Sequence, residues 1–281
     1  MDGVQNVILK LKSRIRCIHL SSVISAVEVD PNDGRLASIT YDQHGETRVD
    51  HGFHHVIFAT EATSAASILS KYATSLPRAA AVHRGAVLEL LECLSSFKYC
   101  TSIVLNHTDR GLLPDNDNDI RDLNLIVSTD EHYNDSNVQP LCLSPSFTMA
   151  TQVIRPPKGY PVFQPVYQTT NPVIPPKKDC LLSYATLERA VLTLKAKEAL
   201  KGLYQQRAKR WWHDKETDGS KLGALQGAGR LENDRGPGIW VCGSYAYPGI
   251  PFLEGCIISS RVVVEEGIFQ CEGAAARSNA W

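Results

Sequence analysis

The chain has 281 residues, of which 43% are apolar and 21% charged, and its 29 basic and 30 acidic side chains give a formal net charge of −1. This composition is typical of a globular protein with a sizeable core. It argues against charge-driven binding to nucleic acid or anionic lipid, and no apolar run reaches the roughly 18 residues of a membrane span.

The amino-terminal region predicts a helix, a three-stranded meander and a buried strand, in that order. Apolar residues recur at helical spacing over residues 4–15. The turn at residues 31–34, Pro-Asn-Asp-Gly, reverses the chain between the first two strands. A second helix is expected over residues 61–71. The strands are expected at residues 16–30, 35–42, 47–51 and 54–60.

Strands also dominate the middle of the chain, where they are expected at residues 103–109, 123–130, 147–154 and 162–169. Residues 184–206 predict the longest helix, because apolar side chains at helical spacing alternate there with charged ones. Residues 215–238 are rich in glycine and charge and predict a loop.

The final segment predicts a strand at 239–242, a glycine-rich turn and a helix that runs to Glu266. Residues 1–77 and 236–281 therefore have an α/β pattern, whereas residues 78–235 are strand-rich. We expect an α/β fold in which the two flanks form one discontinuous domain and the middle forms an inserted α+β domain.

This strand–turn–helix succession has two explanations. An anion, such as a phosphate or the polar edge of a cofactor, binds at many helix N-termini. Gly243 and Gly249 would let it approach the backbone, and the N–H groups around Phe252–Gly255 would face it. Alternatively, glycine and proline only make an ordinary turn between a strand and a helix. The spacing alone favours neither explanation.

Other candidate motifs are incomplete. The clusters at Gly227 and Gly236 lack the third glycine of the dinucleotide fingerprint G-x-G-x-x-G. His54 and His55 alternate along a strand, so we expect one core and one surface histidine and no metal site. The eight cysteines contain no C-x-x-C pair, and no signal-peptide pattern begins the chain. Free thiols in the reducing cytoplasm are therefore expected.

Four segments, in the same order, resemble the flavin-containing amine oxidase and phytoene desaturase superfamily. The most specific is CGSYAYPGIPFLEGCIISSRVVVE, and the other three begin at Val4, His54 and Phe97. This resemblance implies a partial FAD-binding Rossmann-type domain with an inserted, strand-rich substrate domain. It also implies non-covalent FAD, because the turn lacks the cysteine to which some members attach the flavin.

The resemblance further implies roles for individual residues. Gly243 and Ser244 would lie along the ribityl chain and pyrophosphate, Gly249 would belong to the glycine-rich turn, and Val23 would contact the adenine side. The helix near Glu254 would direct its dipole at the pyrimidine edge of the flavin. The residues under the flavin ring would be Pro251, Phe252 and Leu253.

Two departures from the family pattern leave a second reading open. The sequence lacks the family's first strand and its glycine fingerprint, and it has no lysine at the substrate-domain position near which His107 stands. His107 is therefore the one candidate acid or base. The first reading is an oxidase that transfers hydride from a small amine or apolar substrate to FAD. The alternative is a non-catalytic fragment, or half of a two-chain enzyme, that binds no cofactor by itself.

Overall fold

A computed structural model describes residues 4–126, 149–155, 165–191, 193–206, 220–230, 236–249 and 253–273. The chain contains both helices and strands, as predicted, and it divides into two compact units. Unit 1 comprises Met1–Phe97 and Leu192–Trp281, and unit 2 comprises Lys98–Val191. Unit 2 is thus an insertion in unit 1, with boundaries inside the predicted 78–235.

The amino-terminal half of unit 1 has the predicted helix and meander. A helix, α1 (Val4–Lys12), precedes three antiparallel strands in the order β1-β2-β3. These strands are β1 (Ser22–Val29), β2 (Ala37–Gln43) and β3 (Glu46–Phe53). Val27, Ala37 and Tyr41 are buried, and the sheet therefore contributes to the core of the unit.

A short strand and two helices follow the meander. Strand β4 (His55–Phe58) leads into α2 (Ala62–Ser75), which packs on β1. Helix α3 (Ala81–Ser95) then packs on α2 through buried residues that include Val87 and Leu90. No helix or strand was predicted for residues 81–95. This packing places them in unit 1 and not in the inserted unit.

Unit 2 is a five-stranded antiparallel sheet with the strand order β6-β7-β8-β5-β9. One face of its central strands is buried and carries alternating residues such as Ile103, Leu105 and Met149. The strands are β5 (Lys98–His107), β6 (Leu123–Ile126), β7 (Met149–Ile154), β8 (Val166–Thr170) and β9 (Leu181–Val191). The predicted ends at 127–130 and 162–164 lie outside the described residues.

The helix predicted over 184–206 is wrong in its first half. Residues 181–191 form β9, which pairs with β5 from Lys98↔Val191 to His107↔Leu181. Helix α4 begins at Leu194, where the Thr193 side chain accepts the N–H of Ala196 as an N-cap, and it ends at Leu203. Helix-forming residues such as Leu187 and Glu188 thus form a strand because an adjacent strand supplies their backbone partners.

The carboxy-terminal part completes unit 1. Two short strands, β10 (Tyr204–Gln206) and β11 (Ser220–Leu222), pair with each other. Strand β12 (Gly238–Val241) runs parallel to β4, with Trp240 opposite Ile57. Helix α5 (Leu253–Val262) continues as a π-helical turn, Val263–Ile268. None of the described helices has the length and apolar character needed to cross a membrane.

The glycines around β12 pack against two aromatic rings. An added Cβ at Gly227 would lie 2.8 Å from the Trp240 indole, and one at Gly267 would overlap the same ring. An added Cβ at Gly236 would lie 2.5 Å from Nδ1 of His83, a buried residue of α3. The glycine-rich residues 215–238 were predicted to form a loop. In the described part of this range, the glycines leave space for side chains of the core.

Candidate functional site

The candidate site lies where the two parallel strands of unit 1 end. All four residues of β12 are buried, and the N–H of Cys242 donates to the carbonyl of Phe58 at the end of β4. Each strand is followed by a helix, β4 by α2 and β12 by α5. Two helix N-termini therefore follow the same edge of a parallel sheet, an arrangement that favours negative charge in a ligand.

Gly243 makes the turn out of β12. Its φ is +146°, a conformation that only glycine adopts readily, and a short 3-10 turn, Ser244–Ala246, follows. The N–H of Gly243 donates to Oγ of Ser259 in α5 at 3.0 Å. That hydroxyl in turn lies 3.0 Å from the Gly243 carbonyl, to which it can donate. The amide of Gly243, a residue predicted to lie along the ribityl chain and pyrophosphate of FAD, is thus already bound inside the protein.

Tyr247 occupies the space that two glycines leave open. An added Cβ at Gly249 would lie 2.5 Å from the Tyr247 ring, and one at Gly255 would lie 3.1 Å from the Tyr247 side chain. The Tyr247 ring also meets Tyr204 edge to face, with 5.7 Å between ring centres. The close approach that Gly249 permits is therefore made by a tyrosine of the turn itself, and a ligand contact there stays a prediction.

The start of α5 is open to solvent. Leu253 is 70% exposed, and Glu254, in the first turn, is also exposed. Pro251 and Phe252, which were predicted to lie under the flavin ring, fall outside the described residues. Ser244 is half-buried. Of the residues predicted to contact the flavin, Leu253 thus presents an accessible side chain at the helix start.

Val23 belongs to the same unit as this turn. It lies in β1 opposite Asp42 of β2, and its side chain is 69% exposed. Because β1 is an edge strand of the meander, no strand in the described part of the chain lies along its outer side. An exposed valine on an edge strand is compatible with a flat apolar ligand such as adenine, and that contact stays a prediction.

His107 lies in unit 2, at the end of β5, and is completely buried. Its Nδ1 accepts the N–H of Asp109 at 3.2 Å, so the neutral ring carries its proton on Nε2. Nε2 is 2.7 Å from Oγ1 of Thr169, which is 2.8 Å from Oγ1 of Thr151. Desolvation lowers the pKa of His107, so the ring stays neutral at physiological pH.

This network spans β5, β8 and β7 on the buried face of the sheet. Both nitrogens of His107 have protein partners, which is typical of a histidine that organises a core. The adjacent Asp109 carboxylate accepts the N–H groups of Lys177 and Gly111, and these bonds lower its pKa. A role for His107 as acid or base would require one of its hydrogen bonds to be exchanged, and that role stays a prediction.

Sequence reasoning missed a second polar cluster, at the opposite ends of β4 and β12. The indole Nε1 of Trp240 donates to Nδ1 of His55 at 3.0 Å. The Nε2 of His55 donates to Glu272 at 2.9 Å, and Arg230 lies 3.5 Å from the same carboxylate oxygen. His54 is exposed and His55 largely buried, as the strand alternation predicted. Within the described residues no group of three His, Cys, Asp or Glu side chains is placed to hold a metal ion.

Comparison with known proteins provides no family assignment. No protein-family model matches the chain, and no curated protein matches it. The resemblance of four segments to flavin amine oxidases therefore rests on the residues of the sequence, and the function that it implies is a proposal.

Proposed function

We propose that this chain is an FAD-dependent oxidoreductase of the amine oxidase type. One observation carries the proposal. A buried parallel strand, β12, is followed two residues later by Gly243, which has a positive φ, and a helix begins at Leu253. Open α/β sheets bind cofactors at the carboxyl ends of their parallel strands, and β4 and β12 form a two-stranded parallel pair. Helix α1, the meander and β4 precede this segment in the chain.

Gly243, Ser244 and the start of α5 would hold the cofactor, with Val23 on its adenine side. When bound, FAD would supply a hydride acceptor for an amine or another small apolar substrate. The chain would then bind and orient that substrate and exclude water. The seven free cysteines in the described parts of the chain support a reducing compartment such as the cytoplasm.

A specific feature favours the alternative of a module without its own cofactor. The edge of β12 that faces away from β4 is already bonded inside the chain. Ile239 exchanges backbone hydrogen bonds with Gly227 and Ala228, and the Gln226 side chain both donates to and accepts from the backbone of Val241. Any strand supplied by another segment or polypeptide would have to displace these residues or pair elsewhere.

FAD titration of the purified chain tests the proposal. We expect flavin absorbance at close to one FAD per chain. Gly243→Ala should weaken FAD binding at least about tenfold, or about 1.4 kcal/mol, because the positive φ strains alanine and the added Cβ meets Tyr245. Gly45→Ala is the matched control, since Gly45 also has a positive φ but has open space around it in the β2–β3 turn.

Three outcomes of this titration distinguish the oxidoreductase from the alternative of a module without its own cofactor. FAD binding that Gly243→Ala weakens and Gly45→Ala preserves supports the oxidoreductase. Binding that both variants preserve would place the cofactor elsewhere. A chain that binds no FAD contradicts the proposal for the isolated chain, and addition of a polypeptide with a glycine-rich βαβ unit would then distinguish a two-chain enzyme from a non-catalytic module.

A further inference from the structure

A cysteine and a histidine lie side by side on the segment between α1 and β1. Residues alternate in direction along an extended chain, so positions 17 and 19 share one side. Accordingly, Sγ of Cys17 is 3.0 Å from Nε2 of His19. Both residues are exposed. A nucleophile and a base within hydrogen-bonding distance are the first requirement for an activated thiol.

The meander orients the histidine. The Tyr41 hydroxyl on β2 donates its single proton to Oδ2 of Asp50 on β3, at 3.2 Å. The same hydroxyl oxygen lies 3.3 Å from Nδ1 of His19 and therefore accepts the Nδ1–H. With its proton on Nδ1, a neutral His19 has a free lone pair on Nε2, the nitrogen beside the thiol. Cys17 and His19 are two positions apart in the sequence, and the β2–β3 pairing brings Tyr41 and Asp50 close to each other.

The charges around the pair suit thiolate chemistry. Asp50 Oδ2 is 3.9 Å from Nε2 of His19, so a carboxylate lies close to the nitrogen that takes the proton of the thiol. Burial and the Asp50 carboxylate raise the pKa of Tyr41, whereas Arg48 opposes that shift, so the phenol stays protonated at neutral pH. Arg14 and Arg16, both exposed, precede the cysteine in the sequence.

We propose that Cys17 is a nucleophilic thiol, with His19 as its base and Tyr41–Asp50 as the orienting pair, that forms mixed disulfides with small anionic disulfides. The Cys17 proton passes to Nε2 of His19, and Sγ attacks one sulfur of the small disulfide. The S–S bond of that molecule breaks as the new one forms, and its departing thiolate receives the proton. Cys17 is oxidised while the small disulfide is reduced.

None of the four residues of this modification site is among those proposed to contact FAD, although Tyr41 lies beside Asp42, the β2 partner of Val23. The preference for an anionic disulfide rests on Arg14 and Arg16, which would attract its carboxylates. Cys271 is the natural reference among the described cysteines. It is also exposed, and partial desolvation raises the pKa of its thiol.

The test follows reaction of the full chain with 5,5′-dithiobis(2-nitrobenzoate), a small anionic disulfide that releases a coloured thiolate. At about pH 7 we expect a fast phase of one thiol that Cys17→Ser removes and Cys271→Ser retains. His19→Gln should slow that phase about tenfold, and Asp50→Asn about threefold. Replacement of Arg14 and Arg16 by glutamine should slow the reaction with the anionic probe but not the reaction with cystamine, a cationic disulfide.

The same reaction at a higher pH distinguishes a His19 that acts as a base from a His19 that only makes a structural contact. At about pH 10, ordinary thiols are ionised without help, so the wild type and His19→Gln should react at similar rates if His19 acts as a base. A fast phase that survives Cys17→Ser, or one whose rate His19→Gln leaves unchanged at neutral pH, overturns the proposal. So does a tenfold deficit that persists at the higher pH, because it would reflect altered access and not lost proton transfer.

Discussion

The indole of Trp240 donates a hydrogen bond to Nδ1 of His55, 185 positions away in the chain. This bond joins the side chains of the two parallel strands, and it fixes the His55 tautomer because an indole only donates. The proton on Nε2 of His55 then binds Glu272, beyond the π-helical turn that follows α5. One imidazole thus connects β4, β12 and the carboxy-terminal helical segment.

Removal of this imidazole should destabilise unit 1. His55→Ala leaves the Nε1 of the buried Trp240 without its acceptor, and an unsatisfied buried donor costs about 1–3 kcal/mol. We expect a lower free energy of unfolding by about that amount in urea denaturation. The adjacent His54→Ala, at an exposed position, should change it by less than about 0.5 kcal/mol. Equal effects of the two substitutions would contradict a role for the Trp240–His55 bond.

The same imidazole should make stability depend on pH. Desolvation lowers the pKa of His55 below its ordinary value of 6.5, although the Glu272 bond opposes this shift. Protonation of Nδ1 would also remove the acceptor for Trp240. The contribution of His55 to the free energy of unfolding is therefore complete above pH 6.5. It is lost as the pH falls below 6.5 toward the lowered pKa of the folded state.

Unfolding in urea at about pH 7.5 and about pH 5.5 checks this sign. Wild type should lose stability on acidification, and His55→Gln should lose less. Burial also lowers the pKa of His107. His107 therefore contributes equally to the pH dependence of stability in the wild type and in His55→Gln. A larger loss in His55→Gln than in wild type would mean that the imidazole is charged in the native state.

Gly267 should tolerate no side chain. Its Cα faces the Trp240 ring in the π-helical turn, and an added Cβ would overlap that ring. Overpacking of a core typically costs about 1–3 kcal/mol, so Gly267→Ala should unfold at a lower urea concentration. Gly85→Ala is the matched control in α3, because nothing lies within 4 Å of the Cβ position there. That control should stabilise the helix by about 0.5–1 kcal/mol.

Gln226 should be essential for the outer edge of β12. Its side chain donates to the carbonyl of Val241 at 2.7 Å and accepts the N–H of the same residue at 2.9 Å, as a neighbouring strand would. Gln226→Ala leaves both buried groups unpaired and should cost about 2–5 kcal/mol. Gln205→Ala, at an exposed position, should cost little. Light scattering should also show more aggregation of Gln226→Ala, since it uncovers a strand edge.

Local signals in the sequence predicted the order of the meander strands and β4, although the first strand begins at Ser22 and not at the predicted residue 16. The Pro31–Gly34 turn and the alternation around it are short-range, and each strand pairs with the next one along the chain. The strand β12 was also predictable, because Ile239 to Cys242 are apolar and a glycine ends the run. These elements depend on neighbouring residues, which a single sequence displays.

The features that were not predicted correctly depend on residues that are distant in the sequence. Leu187 and Glu188 have helical propensity, but β5 lies alongside them and imposes a strand. The Cys17–His19–Tyr41–Asp50 arrangement could not be predicted without the register of β2 and β3. The glycine clusters at Gly227 and Gly236 were compared with the dinucleotide fingerprint. The sequence alone does not show that the rings of Trp240 and His83 approach these glycines.

The discontinuity of unit 1 has a consequence for the order of folding during synthesis. Unit 2 is one continuous stretch, Lys98–Val191, and all its described strands pair within that stretch. Strand β4, by contrast, leaves the ribosome long before β12, its parallel partner, has been made. At roughly 5–20 residues per second, the apolar residues of β4 wait for many seconds. The nascent chain therefore has an interval in which Val56 and Phe58 depend on chaperones or on transient contacts to stay out of aggregates.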